Sequence, residues 1–144
     1  MIIVDSREKK HQHILDYFDR HHEQYQIKAL STGDYMDSDC PGITIDRKKD
    51  LQELAGNLCT KDHRFWREAR RSHDEGLKMI VLIEQGGQIK TMNDVKNWTS
   101  KYTKVTGRRL YEEMFRIHVA YQIEFLFCDK SNTGKRILEI LRNG

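Results

Sequence analysis

The chain contains one proline, Pro41, and three cysteines among 144 residues. With so little proline, regular helices and strands should carry most of the chain. Cys40, Cys59 and Cys128 are odd in number and form no C-x-x-C pair. That argues against a disulfide framework and against a structural zinc site. No apolar run approaches the roughly 18 residues of a membrane-spanning helix. Met1-Ile2-Ile3-Val4 runs straight into charge, with nothing shaped like a secretory signal. The expectation is an intracellular protein, cytoplasmic or nucleoid-associated, with no membrane partner. There is no internal repeat. The seven histidines lack a third ligand cluster near His11-x-His13 or His21-His22 and read as helix-surface residues. Asn132-Thr133-Gly134-Lys135 lacks the glycine spacing of a phosphate-binding loop and reads as a strand-to-helix turn capped by Thr133.

What is present is charge, 33% of residues, with a modest net +3. Arg64, Arg67, Arg70 and Arg71 fall on one predicted helix. Lys101, Lys104, Arg108 and Arg109 lie in one later segment. Basic clusters on separate elements suit a polyanion, although either alone also reads as a solvated face.

The length suits one domain, residues 1–144, with a single core. Apolar spacing predicts helices over residues 10–22, 49–58, 62–73, 106–120 and 133–141, and a short one over 92–99. Asp50 favours the positive end of the second helix. Residues 77–84 form a near-continuous apolar run ending at Gly86-Gly87, as a buried strand would. Strands alternating with helices imply an α/β sheet flanked on both sides.

Chemistry concentrates in the first third of the chain. Ile2–Asp5, the segment from Ile27 to Asp34, and the strand from Gly42 after a turn at Pro41-Gly42 each deliver an aspartate at or near their end: Asp5, Asp34 and Asp46. Side chains alternate along a strand, so Thr44, Asp46 and Lys48 share one face while Ile43, Ile45 and Arg47 share the other. Carboxylates gather a hard divalent cation, and a lysine beside it can hold a phosphate or orient water.

Asp5-Ser6-Arg7-Glu8, Gly33-Asp34-Tyr35 and Asp46-Arg47-Lys48, in that order, resemble the nuclease domain of the XPF/Hef type. Those are structure-specific endonucleases of the PD-(D/E)xK superfamily. Arg64-Phe65, Val81-Leu82-Ile83-Glu84 and Phe125-Leu126-Phe127-Cys128 continue the likeness over nearly all of residues 1 to 142. The resemblance implies a restriction-endonuclease-like central mixed sheet flanked by helices. It also implies Mg²⁺, with Mn²⁺ as substitute, held by Asp34, Asp46 and Asp5. Lys48, Asp46, Asp34 and Arg47 would form the catalytic set, and Arg7, Arg64, Arg67 and Lys49 would contact DNA. The expected substrate is branched or flap DNA, cut to leave a 5′-phosphate, by a homodimer or heterodimer formed through the closing helices.

Two departures stand out. Asp46 replaces the usual glutamate. Gln52 stands where the family carries a further acid, leaving Glu53 and Asp50 as candidates for that place. Helix-hairpin-helix and helicase portions are not found within these residues. Two other readings stay open on the sequence: a DNA-binding partner module without activity, and a phage or mobile-element nuclease acting on a different nucleic acid.

Overall fold

The computed structural model describes residues 1–143. Six strands form one sheet in the order β2-β1-β3-β4-β5-β6. They are β1 (Ile2–Asp5), β2 (Tyr25–Lys28), β3 (Tyr35–Asp37), β4 (Cys40–Lys48), β5 (Lys78–Ile83) and β6 (Glu124–Phe127). Five helices flank it: α1 (Gln12–Arg20), α2 (Leu51–Leu58), α3 (Arg64–Asp74), α4 (Gly107–Tyr121) and α5 (Thr133–Asn143), with a 3₁₀ turn at Asn93–Asn97. This is the mixed α/β sheet expected.

Strand alternation sorts the core into two layers. Ile2, Val4, Ile43, Ile45, Ile80 and Leu82 face α1 and α5. Met79, Val81, Ile83 and Phe125 face α2, α3 and α4. Complete burial of Leu51 and Leu54 contributes roughly 1.5–3 kcal/mol each. Asp50 caps α2 by accepting from the Glu53 backbone N–H at 2.9 Å, and Thr106 caps α4 through the Arg109 N–H at 3.1 Å. A cap of this kind is worth about 1 kcal/mol.

Only β3 runs against its sheet neighbours, antiparallel to both β1 and β4, while β1–β2, β4–β5 and β5–β6 pair in parallel. The beginning of β3 therefore sits at the edge where the other strands end. This corrects two expectations. Asp34 does not end a strand from Ile27; β2 stops at Lys28, and Asp34 stands just before β3. It still reaches the same edge, because β3 is reversed. The turn is also displaced. It falls at Ser38-Asp39, and Pro41 and Gly42 lie within β4, in the register shift between the Cys40–Asp37 and Ile45–Tyr35 pairs, where a proline is tolerated.

Candidate active site

The end of the sheet gathers the charged residues. Asp34 is fixed by its backbone: its N–H donates to Ile45 O at 2.7 Å and its carbonyl accepts from Asp5 N–H at 2.8 Å. Gly33, immediately before it, has φ of +71°, and a Cβ there would fall 2.0 Å from Thr44 Oγ1. Only glycine fits that approach. Thr44 Oγ1 in turn donates to Thr32 O at 3.0 Å. Glu68 of α3 accepts the Gly33 N–H at 2.8 Å, which brings a further acid to the site.

Asp46 and Lys48 share the α2–α3 face as alternation requires. Lys48 Nζ lies 2.9 Å from Asp46 Oδ2, with the side chains 10% and 8% exposed. The contact is an ion pair by distance without hydrogen-bond geometry, so the buried Oδ2 has no hydrogen-bond partner. Lys48 also sits 4.7 Å above the Phe65 ring, and Phe65 is a buried core residue, which gives the ammonium an aromatic floor.

The electrostatics mark these acids as uncomfortable. Burial pushes the Asp46 carboxyl up to about 6, with Lys48 pulling the other way. Asp34 is raised well above the usual carboxylate range, first by burial and then by the Asp46 charge. Burial works to discharge Lys48, but Asp46, Glu53 and Asp34 together outweigh it and the ammonium is held above its ordinary value. Two carboxylates that disfavour their own charge, one of them answered by the Lys48 ammonium, form a donor set that a hard cation would satisfy. Among the described residues no three His, Cys, Asp or Glu side chains group closely enough to hold an ion alone. Mg²⁺ needs no such cage. It binds through one or two carboxylates and completes its shell with water and substrate phosphate.

The opposite face of β4 carries a contrasting arrangement. Arg47 Nε donates to Glu8 at 2.8 Å, Nη2 to Lys9 O at 2.7 Å, and Nη1 to Glu84. Glu84 further accepts from Thr133 Oγ1 at 2.5 Å and meets His13 Nε2 at 2.6 Å. Tyr35, fully buried, donates to Glu8 at 2.6 Å. Burial pushes Glu84 upward, but Thr133, His13 and Arg47 together hold its carboxyl below the usual value. The Arg47 backbone N–H donates to Asp34 Oδ2 at 2.8 Å. Arg47 is thus the partner of buried acids and positions Asp34. Each of its guanidinium nitrogens already donates to a protein oxygen.

This network corrects two sequence readings. His13 is not a surface residue of α1; it turns inward to Glu84. Thr133 does not cap α5 with its side chain; its hydroxyl donates to Glu84. Neither pairing could be read from spacing, because the partners lie 71 and 49 positions apart.

The remaining candidates separate by position. Asp5 accepts from Arg7 at 3.1 Å on both oxygens and from the Leu30 N–H at 2.9 Å. Its carboxylate is engaged as an ion pair with Arg7. Asp50 is occupied in capping α2. A cleft of about 410 Å³ is walled by Arg7, Lys9, Lys49, Asp50, Glu53 and Lys130, among others. Glu8, Arg47 and Glu84 also line it, whereas Asp34, Asp46 and Lys48 do not. Glu53 faces the site closely enough for its charge to bear on both Asp46 and Lys48. Arg64 and Arg67 are exposed on α3 and do not wall this cleft; Arg64 is forked onto Asp62 at 2.7 and 2.9 Å. Glu8, Glu68 and His13 were missed by sequence reasoning. Glu8 alone had a signal, its place in the Asp-x-Arg-Glu run.

Residues 4–141 match the ERCC4 domain. The chain belongs to the ERCC4 domain family. XPF from Aeropyrum pernix superposes with a TM-score of 0.74 at 22% identity, over 99% of this chain and 63% of that chain. The same protein in complex with DNA gives a TM-score of 0.72 at 23% identity, with the same coverage. The chain thus spans somewhat less than two thirds of the XPF chains it matches, and the likeness to them establishes the ERCC4-domain fold. No curated protein matches the chain. Among the described residues no helix is long and apolar enough to cross a membrane.

Proposed function

We propose that this ERCC4 domain is a metal-dependent DNA endonuclease acting on branched or flap DNA. The observation that supports it best is the pair of upshifted carboxylates, half-buried Asp34 and buried Asp46, beside the Lys48 ammonium at the sheet edge. Asp34 and Asp46 would hold Mg²⁺ or Mn²⁺, which supplies a bound water of lowered pKa and neutralises phosphate charge. Lys48 is held as a cation, so it orients water or phosphate and does not act as a base. In the metal-free protein the same ammonium balances Asp46. Arg47, tied on every nitrogen, fixes Asp34 through its backbone N–H. Glu53 at the cleft wall would take the place of the acid that Gln52 lacks. Arg7, Lys9 and Lys49 at the mouth would meet the DNA backbone.

We further propose a protein partner, a second copy or a related chain. Phe115 and Val119, exposed four residues apart on α4, would lie within that contact. Sedimentation at micromolar concentration reads it.

The deciding experiment is cleavage of labelled flap, duplex and single-stranded DNA with Mg²⁺ or Mn²⁺. Flap cutting is expected. No cutting of any substrate with either metal rejects the enzyme. Gln52 in the acid position favours a second reading, a DNA-binding module without activity, which that result combined with salt-sensitive binding would support.

A further inference from the structure

The site just described makes no use of the loop between the 3₁₀ turn and α4. Thr99 and Thr106 pair as an isolated antiparallel bridge, closing residues 100–105 into a short excursion. The Ser100 hydroxyl organises its interior. It donates to Gln52 Oε1 at 2.6 Å, accepts from the backbone N–H groups of Tyr102 at 3.2 Å and Thr103 at 3.0 Å, and meets Thr103 Oγ1 at 2.9 Å. The base is equally tight. A Cβ on Gly107 would fall 2.3 Å from Val95 O and 2.5 Å from Trp98 O. The loop is therefore fastened to α2, the helix that follows the Asp46 strand. Gln52, at the position where the family carries an acid, is the fastening.

The loop tip has the opposite character. Tyr102 is 81% exposed, the most exposed large hydrophobic side chain among the described residues. Lys101 precedes it and Lys104 follows, both exposed. Trp98, Lys101 and Tyr102 face Asp50, Gln52 and Gln85 across a groove of about 200 Å³. Asp50 also walls the larger cleft, so the groove adjoins that cleft. An aromatic held out in water on a braced loop, between two lysines, has no role in packing.

We propose that Tyr102 is a stacking platform for an unpaired DNA base beside the incision site, with Lys101 and Lys104 following the adjoining phosphates. The ligand class rests on the nuclease reading above. Base faces are open in a single strand and covered in a duplex, and stacking on an aromatic ring is indifferent to sequence. The loop would therefore select substrates in which a single-stranded arm leaves the duplex next to the cut.

The test is equilibrium binding in EDTA, by fluorescence anisotropy, of labelled oligothymidylate and of a blunt duplex of equal length. Wild type, Tyr102→Ala and Tyr102→Phe are compared; the site's exposure makes either variant safe for folding. Tyr102→Ala is expected to weaken binding of the single strand about tenfold or more while leaving the duplex unchanged. Tyr102→Phe keeps the ring and is expected to bind as wild type. Unaltered single-strand affinity in Tyr102→Ala overturns the proposal. So does a proportional loss on the duplex, or a loss in Tyr102→Phe equal to that in Tyr102→Ala. Neither metal nor cleavage enters the measurement. A chain that binds this way and never cuts sinks the nuclease reading alone; one that cuts and ignores Tyr102 sinks this inference alone.

Discussion

Replacing Asp46 with asparagine should change how the fold responds to pH. In the folded chain the Asp46 carboxyl titrates at about 6, against 3.8 for an ordinary aspartate. At about 1.4 kcal/mol per unit, that difference is worth roughly 3 kcal/mol. The sign follows from proton counting. Between these two values the unfolded chain has released the proton and the folded chain still holds it. The unfolded state binds fewer protons, so stability falls as pH rises through the interval. Lys48 does not contribute in this range: its raised pKa gives stability that is fully present below its unfolded value of 10.5. Asp34 is raised partly by the Asp46 charge; the variant loses that part of the shift, which moves the difference in the same direction. Asparagine occupies the same space and does not titrate. The stability of Asp46→Asn relative to wild type should therefore improve by about 3 kcal/mol between about pH 4 and pH 7 in EDTA. Saturating Mg²⁺ should restore wild type at the upper end and leave the variant where it was. Urea unfolding at half-unit pH steps measures this. A difference that stays flat, or moves in favour of wild type, would refute the claim that this carboxylate is held against its preference.

Three further outcomes are expected. Lys48→Ala should lower cleavage by at least about 10²-fold with DNA affinity unchanged, read by single-turnover rates beside anisotropy; a fall in affinity with the rate intact would place the lysine in binding alone. Gly33→Ala should cost about 1–2 kcal/mol from its left-handed backbone alone, and more from the 2.0 Å approach to Thr44 Oγ1; urea unfolding checks it, and a variant as stable as wild type contradicts the packing described. Arg47→Met leaves Glu8 and Glu84 without their cation and should destabilise by about 3–5 kcal/mol, seen as a lower urea midpoint with an unaltered slope.

The sequence carried the strand faces well and the partners poorly. The split of Asp46 and Lys48 from Arg47 follows from period-two alternation, which needs no knowledge of the rest of the chain. Asp34 reached the site by a route that alternation cannot express, since the reversal of β3 depends on which strands flank it. His13 and Thr133 looked like a surface residue and a helix cap because each was judged against its own helix. Their actual partner, Glu84, is set by the way α1 and α5 pack together over the end of β5. Asp5 illustrates the converse. A strand-end acid looks like a ligand until the residue two places on, Arg7, folds back to neutralise it. Local periodicity fixes direction; only the packed sheet fixes distance.

The two faces of β4 differ in how completely their charges are answered, and that difference locates the chemistry better than any motif. On the Arg47 face a guanidinium, two glutamates, a tyrosine, a threonine and a histidine meet one another within hydrogen-bond range. Such a network resists rearrangement, because opening any part strands a buried charge. On the other face Asp46 Oδ2 has no hydrogen-bond partner, and both aspartates are pushed toward neutrality. Folding alone would favour an apolar pair there. A buried carboxylate whose charge is disfavoured and is answered by a single ammonium suits a ligand better than it suits folding. The strand thus joins a rigid side to an unfinished one through a single peptide, the Arg47 N–H on Asp34. Changing the Arg47 side chain should therefore disturb Asp34 through the strand, although the backbone N–H that binds it remains.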